Sequence, residues 1–291
     1  MRYFHYLIVL AFIISCPLIA AADHTPFEMP FSYEKGHVIV QVTIKGAPAE
    51  VVLGTASEHS MIDFQMLEKY KLQAFYTGVG VITGKNDKTI VYSTVGGISL
   101  GEIKGETLNM VLGSTREVQK RVGREIFGVF GADFFKGRVV QFDFKNKLVR
   151  FLKKSPIENI HNAAANPNRM ILPFVYNRHN ISFPVAEAMF AGKKMETLFD
   201  TGTVAVVSLA ASAAKDLKLP AAEKNQTASG QVGVMKVDNF EVKDVPVLIN
   251  PSGSSFDSDE YDFRATAGVG FLQNFLSTFD FSKRVLILER N

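Results

Sequence analysis

The chain has 291 residues, 47% of them apolar, enough for one large domain or two small ones with a usable core in each. A net charge of +3, from 32 basic and 29 acidic side chains, is too mild to mark a nucleic-acid binder, and no basic cluster is interleaved with aromatics. The histidines His5, His24, His37, His59, His161 and His179 lack zinc-site spacing, and neither a P-loop nor a dinucleotide fingerprint occurs, so no cofactor or metal is expected.

The chain opens as an export signal. Arg2 precedes the apolar run Leu7 to Ile14, and small residues follow at Ala20-Ala21-Ala22, so residues 1–22 read as a leader cut after Ala22. The run is too short to span a bilayer comfortably. Cleavage there removes Cys16, the only cysteine, and leaves disulfides no part in the fold. Ile13-Ile14-Ser15-Cys16 also has the pattern of a bacterial lipobox, which would instead leave Cys16 lipidated as a membrane anchor. Both routes predict an exported protein, periplasmic or extracellular. Asn180-Ile181-Ser182 and Asn225-Gln226-Thr227 match glycosylation acceptors, which matter only in a eukaryotic secretory pathway.

Residues 37–44 are a β-branched run that predicts a strand, and Ile44 to Glu50 leads into Val51-Val52-Leu53-Gly54-Thr55-Ala56-Ser57. A helix is predicted over Phe64 to Tyr70 with Asp63 as its cap. Strands and Gly-centred turns alternate from 78 to 112, and Thr83 to Lys88 is the clearest turn. The polar stretch 153–170, rich in Asn, Ala and Pro, reads as a linker. Beyond it, Phe190 to Thr197 reads as a hairpin feeding a strand that ends in Leu198-Phe199-Asp200-Thr201-Gly202-Thr203. Apolar residues follow at 204–207, and then a short helix over Ala210 to Leu217.

The two hairpin-strand-loop stretches match. Setting Thr55 against Thr201, an offset of 146 (201 − 55), places Gly54 where Asp200 sits and Ala56 where Gly202 sits. Gly131-Ala132-Asp133-Phe134-Phe135 matches Gly268-Val269-Gly270-Phe271-Leu272, and Phe142-Asp143-Phe144 matches Phe279-Asp280-Phe281, both at an offset of 137 (268 − 131). Two copies of one unit follow, residues 37–152 and 171–289. The first copy carries nine more residues (146 − 137) between its loop and residue 110.

The apolar-apolar-Asp-Thr-Gly loop at 198–202, its damaged copy and the apolar-apolar-Gly segment at 129–131 together resemble the aspartic peptidases of the pepsin and retropepsin families. Thr266-Ala267-Gly268 fits the last of these less well. The resemblance covers nearly the whole mature chain. It implies an all-β, bilobal acid-protease fold of two β-barrel-like units with short helices. It also implies a flap hairpin in the first lobe, for which residues 75–92 are the candidate, with Tyr76 or Tyr92 near bound polypeptide. In such enzymes Asp200 would carry the chemistry, with Thr201 and Gly202 shaping its loop.

That chemistry needs two carboxylates sharing one proton, one acting as base toward water and the other as acid toward the scissile carbonyl. The first loop, Gly54-Thr55-Ala56, has lost its acid; Glu58 lies past the loop tip and Asp63 is assigned as a cap. Three arrangements stay open: a polypeptide binder that no longer cuts, a homodimer in which two Asp200 carboxylates meet, and a structural leftover. A serine nucleophile at Ser57-Glu58-His59 lacks the Gly-x-Ser-x-Gly elbow. Ser114–Phe127 is basic where Pro251–Arg264 is acidic, a pair of opposite sign in equivalent loops.

Overall fold

The computed structural model describes residues 25–80, 88–157, 166–175, 183–223, 226–251 and 263–290. The leader with Cys16, the turn at 83–87, residues 158–165 of the linker, Asn180, Asn225 and the acidic stretch 252–262 lie outside the described residues.

In the N-terminal half the elements are β1 (Phe27–Pro30), β2 (Ser32–Glu34), β3 (His37–Ile44), β4 (Ala47–Leu53), β5 (Met61–Asp63), α1 (Met66–Lys69), β6 (Phe75–Gly80) and β7 (Lys88–Leu100). They continue with β8 (Ile103–Gly113), α2 (Arg116–Val122), β9 (Gly128–Phe130), α3 (Ala132–Phe135), β10 (Val139–Asp143) and β11 (Leu148–Leu152). The C-terminal half holds β12 (Arg169–Pro173), β13 (Val185–Phe190), β14 (Lys193–Phe199), β15 (Val207–Leu209), α4 (Ala211–Asp216), β16 (Ala228–Val237) and β17 (Phe240–Ile249). It ends with β18 (Ala265–Ala267), α5 (Val269–Leu272), β19 (Phe275–Asp280) and β20 (Val285–Arg290).

The predicted repeat is present strand by strand. In the first lobe the ring runs β3-β4-β9-β5-β8-β7 and returns to β3 through Thr43 opposite Ser99. In the second it runs β13-β14-β18-β15-β17-β16 and closes through Met189 opposite Lys236. Equivalent neighbours agree in direction: β4/β9 and β14/β18 are parallel, as are β5/β8 and β15/β17. The hairpins that open the two barrels turn alike. Lys45-Gly46 has φ of 51° and 82°, and Ala191-Gly192 has 47° and 82°. Two consecutive positive φ values make the turn whose twist matches a β-hairpin.

The remaining strands form a shared sheet, ordered β1-β11-β10-β19-β20-β12, whose middle pair joins the halves. Gln141 lies directly opposite Thr278, its own equivalent in the repeat, and its side-chain amide donates to the Thr278 hydroxyl at 3.0 Å. A pseudo-twofold axis therefore passes between them. The equivalent pair Phe142 and Phe279 is fully buried there, edge to face at 5.8 Å between ring centres. Other phenylalanines pack in the same core cluster, among them Phe134, Phe135, Phe151, Phe271 and Phe275. This sheet draws on β1 and β12, which reach outside the repeat bounds of 37–152 and 171–289.

Two local expectations change. The predicted helix over 64–70 shrinks to one turn at Met66–Lys69, and Asp63 does not cap it. Asp63 instead ends β5 as a buried acceptor: Oδ2 takes the backbone N–H and hydroxyl of Thr115 at 2.6 and 2.8 Å, and Oδ1 takes the Gln65 N–H. A long-range partner takes one carboxyl oxygen, and the local turn keeps the other. The extra residues of the first copy form an added hairpin: β6 lies on the outer edge of β7, with no counterpart among the described residues of the second lobe.

Because Phe142 and Phe279 straddle the axis, Phe142→Ala should cost about 3–5 kcal/mol and loosen the lobes together. Urea unfolding followed by near-UV absorption of tyrosines in both lobes checks this. Loss of one lobe's signal alone would contradict a shared sheet that couples them.

Candidate active site

Strands β4 and β14 both end at the axis, each delivering a loop that begins at its residue 54 or 200. The two loops are locked by their threonines. The Thr55 N–H donates to Thr201 Oγ1 at 3.1 Å, and the Thr201 N–H donates to Thr55 Oγ1 at 3.1 Å. Each hydroxyl then donates across the axis, Thr201 to the Leu53 carbonyl at 2.8 Å and Thr55 to the Phe199 carbonyl at 3.2 Å. Both residues are fully buried, and every bond has its symmetry mate.

Beneath each loop lies a glycine that cannot be replaced. A Cβ on Gly131 would stand 2.5 Å from the Ser57 carbonyl, and one on Gly268 would stand 2.3 Å from the Thr203 carbonyl. Those same carbonyls accept the N–H groups of Ala132 and Val269 at 2.6 and 2.7 Å, so the helices α3 and α5 hang from the loops in the same way. Thr266-Ala267-Gly268, the weaker sequence match, thus does the same work as Val129-Phe130-Gly131.

Asp200 sits between the loops, partly accessible, its carboxyl surrounded by donors. Oδ1 accepts the Gly202 N–H at 2.8 Å and, from the other lobe, the Ala56 N–H at 3.2 Å. Oδ2 accepts the Thr203 hydroxyl at 2.8 Å. Burial raises the Asp200 pKa above the usual carboxylate range; the Gly202, Thr203 and Ala56 bonds oppose it without cancelling it. Among the described residues no carboxylate is a partner of Asp200. Glu58 is exposed and faces its neighbour His59 at 3.8 Å, while Asp63 is held by Thr115. What a second acid would need is otherwise in place. The position that a Gly202 Cβ would take is 3.2 Å from Asp200 Oδ1 and 3.3 Å from the Gly54 Cα, so the absence of a side chain at 202 lets the carboxyl and the Gly54 backbone approach the same point.

The six loop residues Gly54, Thr55, Ala56, Asp200, Thr201 and Gly202 are therefore brought together. Ala56 differs from Gly202 in carrying a methyl, which packs on the second-lobe cluster of Phe183, Val185, Leu198 and Phe263. Tyr92 lies on β7 with its ring edge to face with His59 at 5.9 Å, and no bond ties it to Asp200. Tyr76 stands opposite Val91 in the added hairpin, and its side chain lies outside what is described. Sequence reasoning missed Thr203 and Ser57, although the 146 offset that pairs Thr55 with Thr201 also pairs these two. Among the described residues no group of His, Cys, Asp or Glu could hold a metal ion.

This arrangement has solved counterparts. An aspartic proteinase from Irpex lacteus superposes with a TM-score of 0.54 over 92% of this chain and 98% of its own, at 13% identity. Basic 7S globulin from soybean does so with a TM-score of 0.51 over 92% and 97%, at 11% identity. The fold is that of the pepsin-like aspartic proteinases. No model of a known protein family and no curated protein matches the sequence. At such identities the acid-protease fold is what the likeness carries, and the chemistry rests on the loops themselves.

Two outcomes follow from this geometry. Thr201→Val keeps the shape but strands the Thr55 N–H and the Leu53 carbonyl in a buried site, and should cost about 2–4 kcal/mol in denaturant unfolding. Adding Thr55→Val removes the other two bonds, those of the Thr55 hydroxyl to the Thr201 N–H and the Phe199 carbonyl, and should cost a comparable further amount. For Asp200, the pKa is raised on folding, so its stability contribution is complete below the unfolded value of about 3.9 and is lost as pH rises through the folded-state pKa. Asp200→Asn removes that loss. Its melting temperature should exceed the parent's at neutral pH and converge with it in acid; a constant gap at every pH would refute the raised pKa.

Proposed function

We propose that the mature protein binds polypeptide in an extended form between the two lobes and does not hydrolyse it. The observation that carries this reading is that, among the described residues, Asp200 is bonded only to N–H and hydroxyl donors, with Gly54 at the equivalent position of the other loop. A lone carboxylate can act as a base toward water, but no acid stands ready to protonate the scissile carbonyl. The added β6–β7 hairpin supports the binding half of the reading, since it extends the first lobe beside the first loop, where Tyr92 of β7 meets His59. The leader at 1–22 supports export, with lipidation of Cys16 as its variant, and so places the polypeptide partner in the periplasm or outside the cell.

The homodimeric peptidase is the competing arrangement. To bring two Asp200 residues together, the chain would give up four threonine bonds, the Gln141–Thr278 bond and the Phe142–Phe279 contact. Symmetric pairing would have to exceed that cost from outside the chain. We therefore place the function in the single chain.

The test is incubation of an unfolded protein mixture with the mature chain from about pH 3 to pH 8 at several protein concentrations, beside Asp200→Ala. No cleavage is expected, with retention of unfolded polypeptide on immobilised protein. Gly54→Asp combined with Ala56→Gly should then gain cleavage in acid that Asp200→Asn abolishes; a new Cβ at 54 needs the Val129 methyl, at 3.1 Å, and the Ser57 hydroxyl, at 3.3 Å, to yield by a few tenths of an ångström. Asp200-dependent cleavage by the unaltered chain would overturn the reading. A rate rising faster than linearly with concentration would assign that cleavage to the dimer.

A further inference from the structure

The loss at position 54 removed a side chain but left its surroundings. In the second lobe the Thr203 hydroxyl donates to Asp200 Oδ2. Its equivalent in the first lobe, Ser57, keeps its hydroxyl 3.3 Å from where a Cβ on residue 54 would begin. That hydroxyl has no hydrogen-bond partner among the described residues. The backbone agrees as well: the Gly54 N–H donates to the Phe130 carbonyl at 2.9 Å, as the Asp200 N–H donates to the Ala267 carbonyl at 3.0 Å. The strand end is therefore still set as it would be for a residue bearing a carboxylate. The Ala56 N–H, freed from any acid of its own lobe, crosses to Asp200 Oδ1.

We propose that the space between Gly54 and Asp200 is a binding site for a carboxyl group from outside the chain, namely the C-terminal carboxyl of a bound polypeptide. The incoming carboxylic acid donates its O–H to the Asp200 carboxylate and accepts the Ser57 hydroxyl on its carbonyl oxygen. Only hydrogen bonds form, and one proton serves two carboxyl groups, so no pair of like charges is buried. A free chain end is the carboxyl that suits a groove holding extended polypeptide; a small free acid has the same head group. The choice of a peptide as the source rests on the proposed function, while the carboxyl site itself does not.

Affinity for acetate, and for a set of unstructured peptides prepared both as free acids and as C-terminal amides, tests this at about pH 5, near the carboxylate range. The mature chain is compared with Gly54→Ala, which fills the space with a methyl, and with Ser57→Ala, which removes only the hydroxyl. Free acids should bind the unaltered chain at least about tenfold more tightly than their amides. Acetate should bind measurably, and both substitutions should erode each effect. Acetate bound and lost in Gly54→Ala, with neither peptide form bound, would support the site with a small acid as its ligand and sink the polypeptide reading. Acids and amides bound equally, with acetate indifferent to Gly54→Ala, would overturn the site and leave polypeptide binding standing. A Ser57→Ala variant indistinguishable from the parent would remove the assigned donor and overturn the geometry.

Discussion

The reciprocal bonds of Thr55 and Thr201 are the constraint on which the rest depends. Each threonine must offer an N–H, accept one and donate its hydroxyl onward, so only a near-twofold arrangement of two loops satisfies all four bonds at once. That requirement propagates outward. The loops must approach until a Gly202 Cβ would stand 3.3 Å from the Gly54 Cα, and the backbone beneath each must have no side chain, hence Gly131 and Gly268. Buried bonds of this kind each contribute about 1 kcal/mol when made, and leaving a partner stranded costs about 1–3 kcal/mol. The threonines are thus far harder to lose than the acids they position. This explains how the first loop can be without its carboxylate while keeping its threonine bonds.

With the partner acid gone, Asp200 takes on a different electrostatic character. In a two-carboxylate site, repulsion between like charges keeps one proton bound near neutrality. Among the described residues Asp200 has no such neighbour, and burial raises its pKa against three donors that favour the anion. One of those donors, the Ala56 N–H, comes from the lobe that lost its acid. The site has moved from sharing a proton between two acids toward solvating one anion.

Much of this was legible in the sequence because it is written twice. The 146 and 137 offsets located both loops, both supporting glycines and the Phe142/Phe279 pair, and the run 37–44 reads as the strand it forms. What was not legible depends on contacts between distant segments. The shared sheet joins β10 to β19 across more than a hundred residues, and nothing local to Val139–Asp143 names that partner. Asp63 looks like a cap because caps are local, yet Thr115 offers it two donors at once. Ser57 and Thr203 were within reach of the same offset, but only the geometry gives their hydroxyls a direction.

The asymmetry between the lobes bears on why the fold is kept. The first lobe lost its acid, yet it is also the lobe that carries the β6–β7 hairpin beyond the closed ring of strands. An added edge strand is a liability in a protein that does not use it, because its open backbone groups invite pairing with other chains. Here the edge also holds Phe75, one of the few large apolar side chains left exposed. Neither the threonine lock nor the shared sheet needs that hairpin. Its presence is explained if the lobe without the acid covers something: an extended chain can satisfy both the open strand edge and the exposed ring, and doing so requires no second carboxylate.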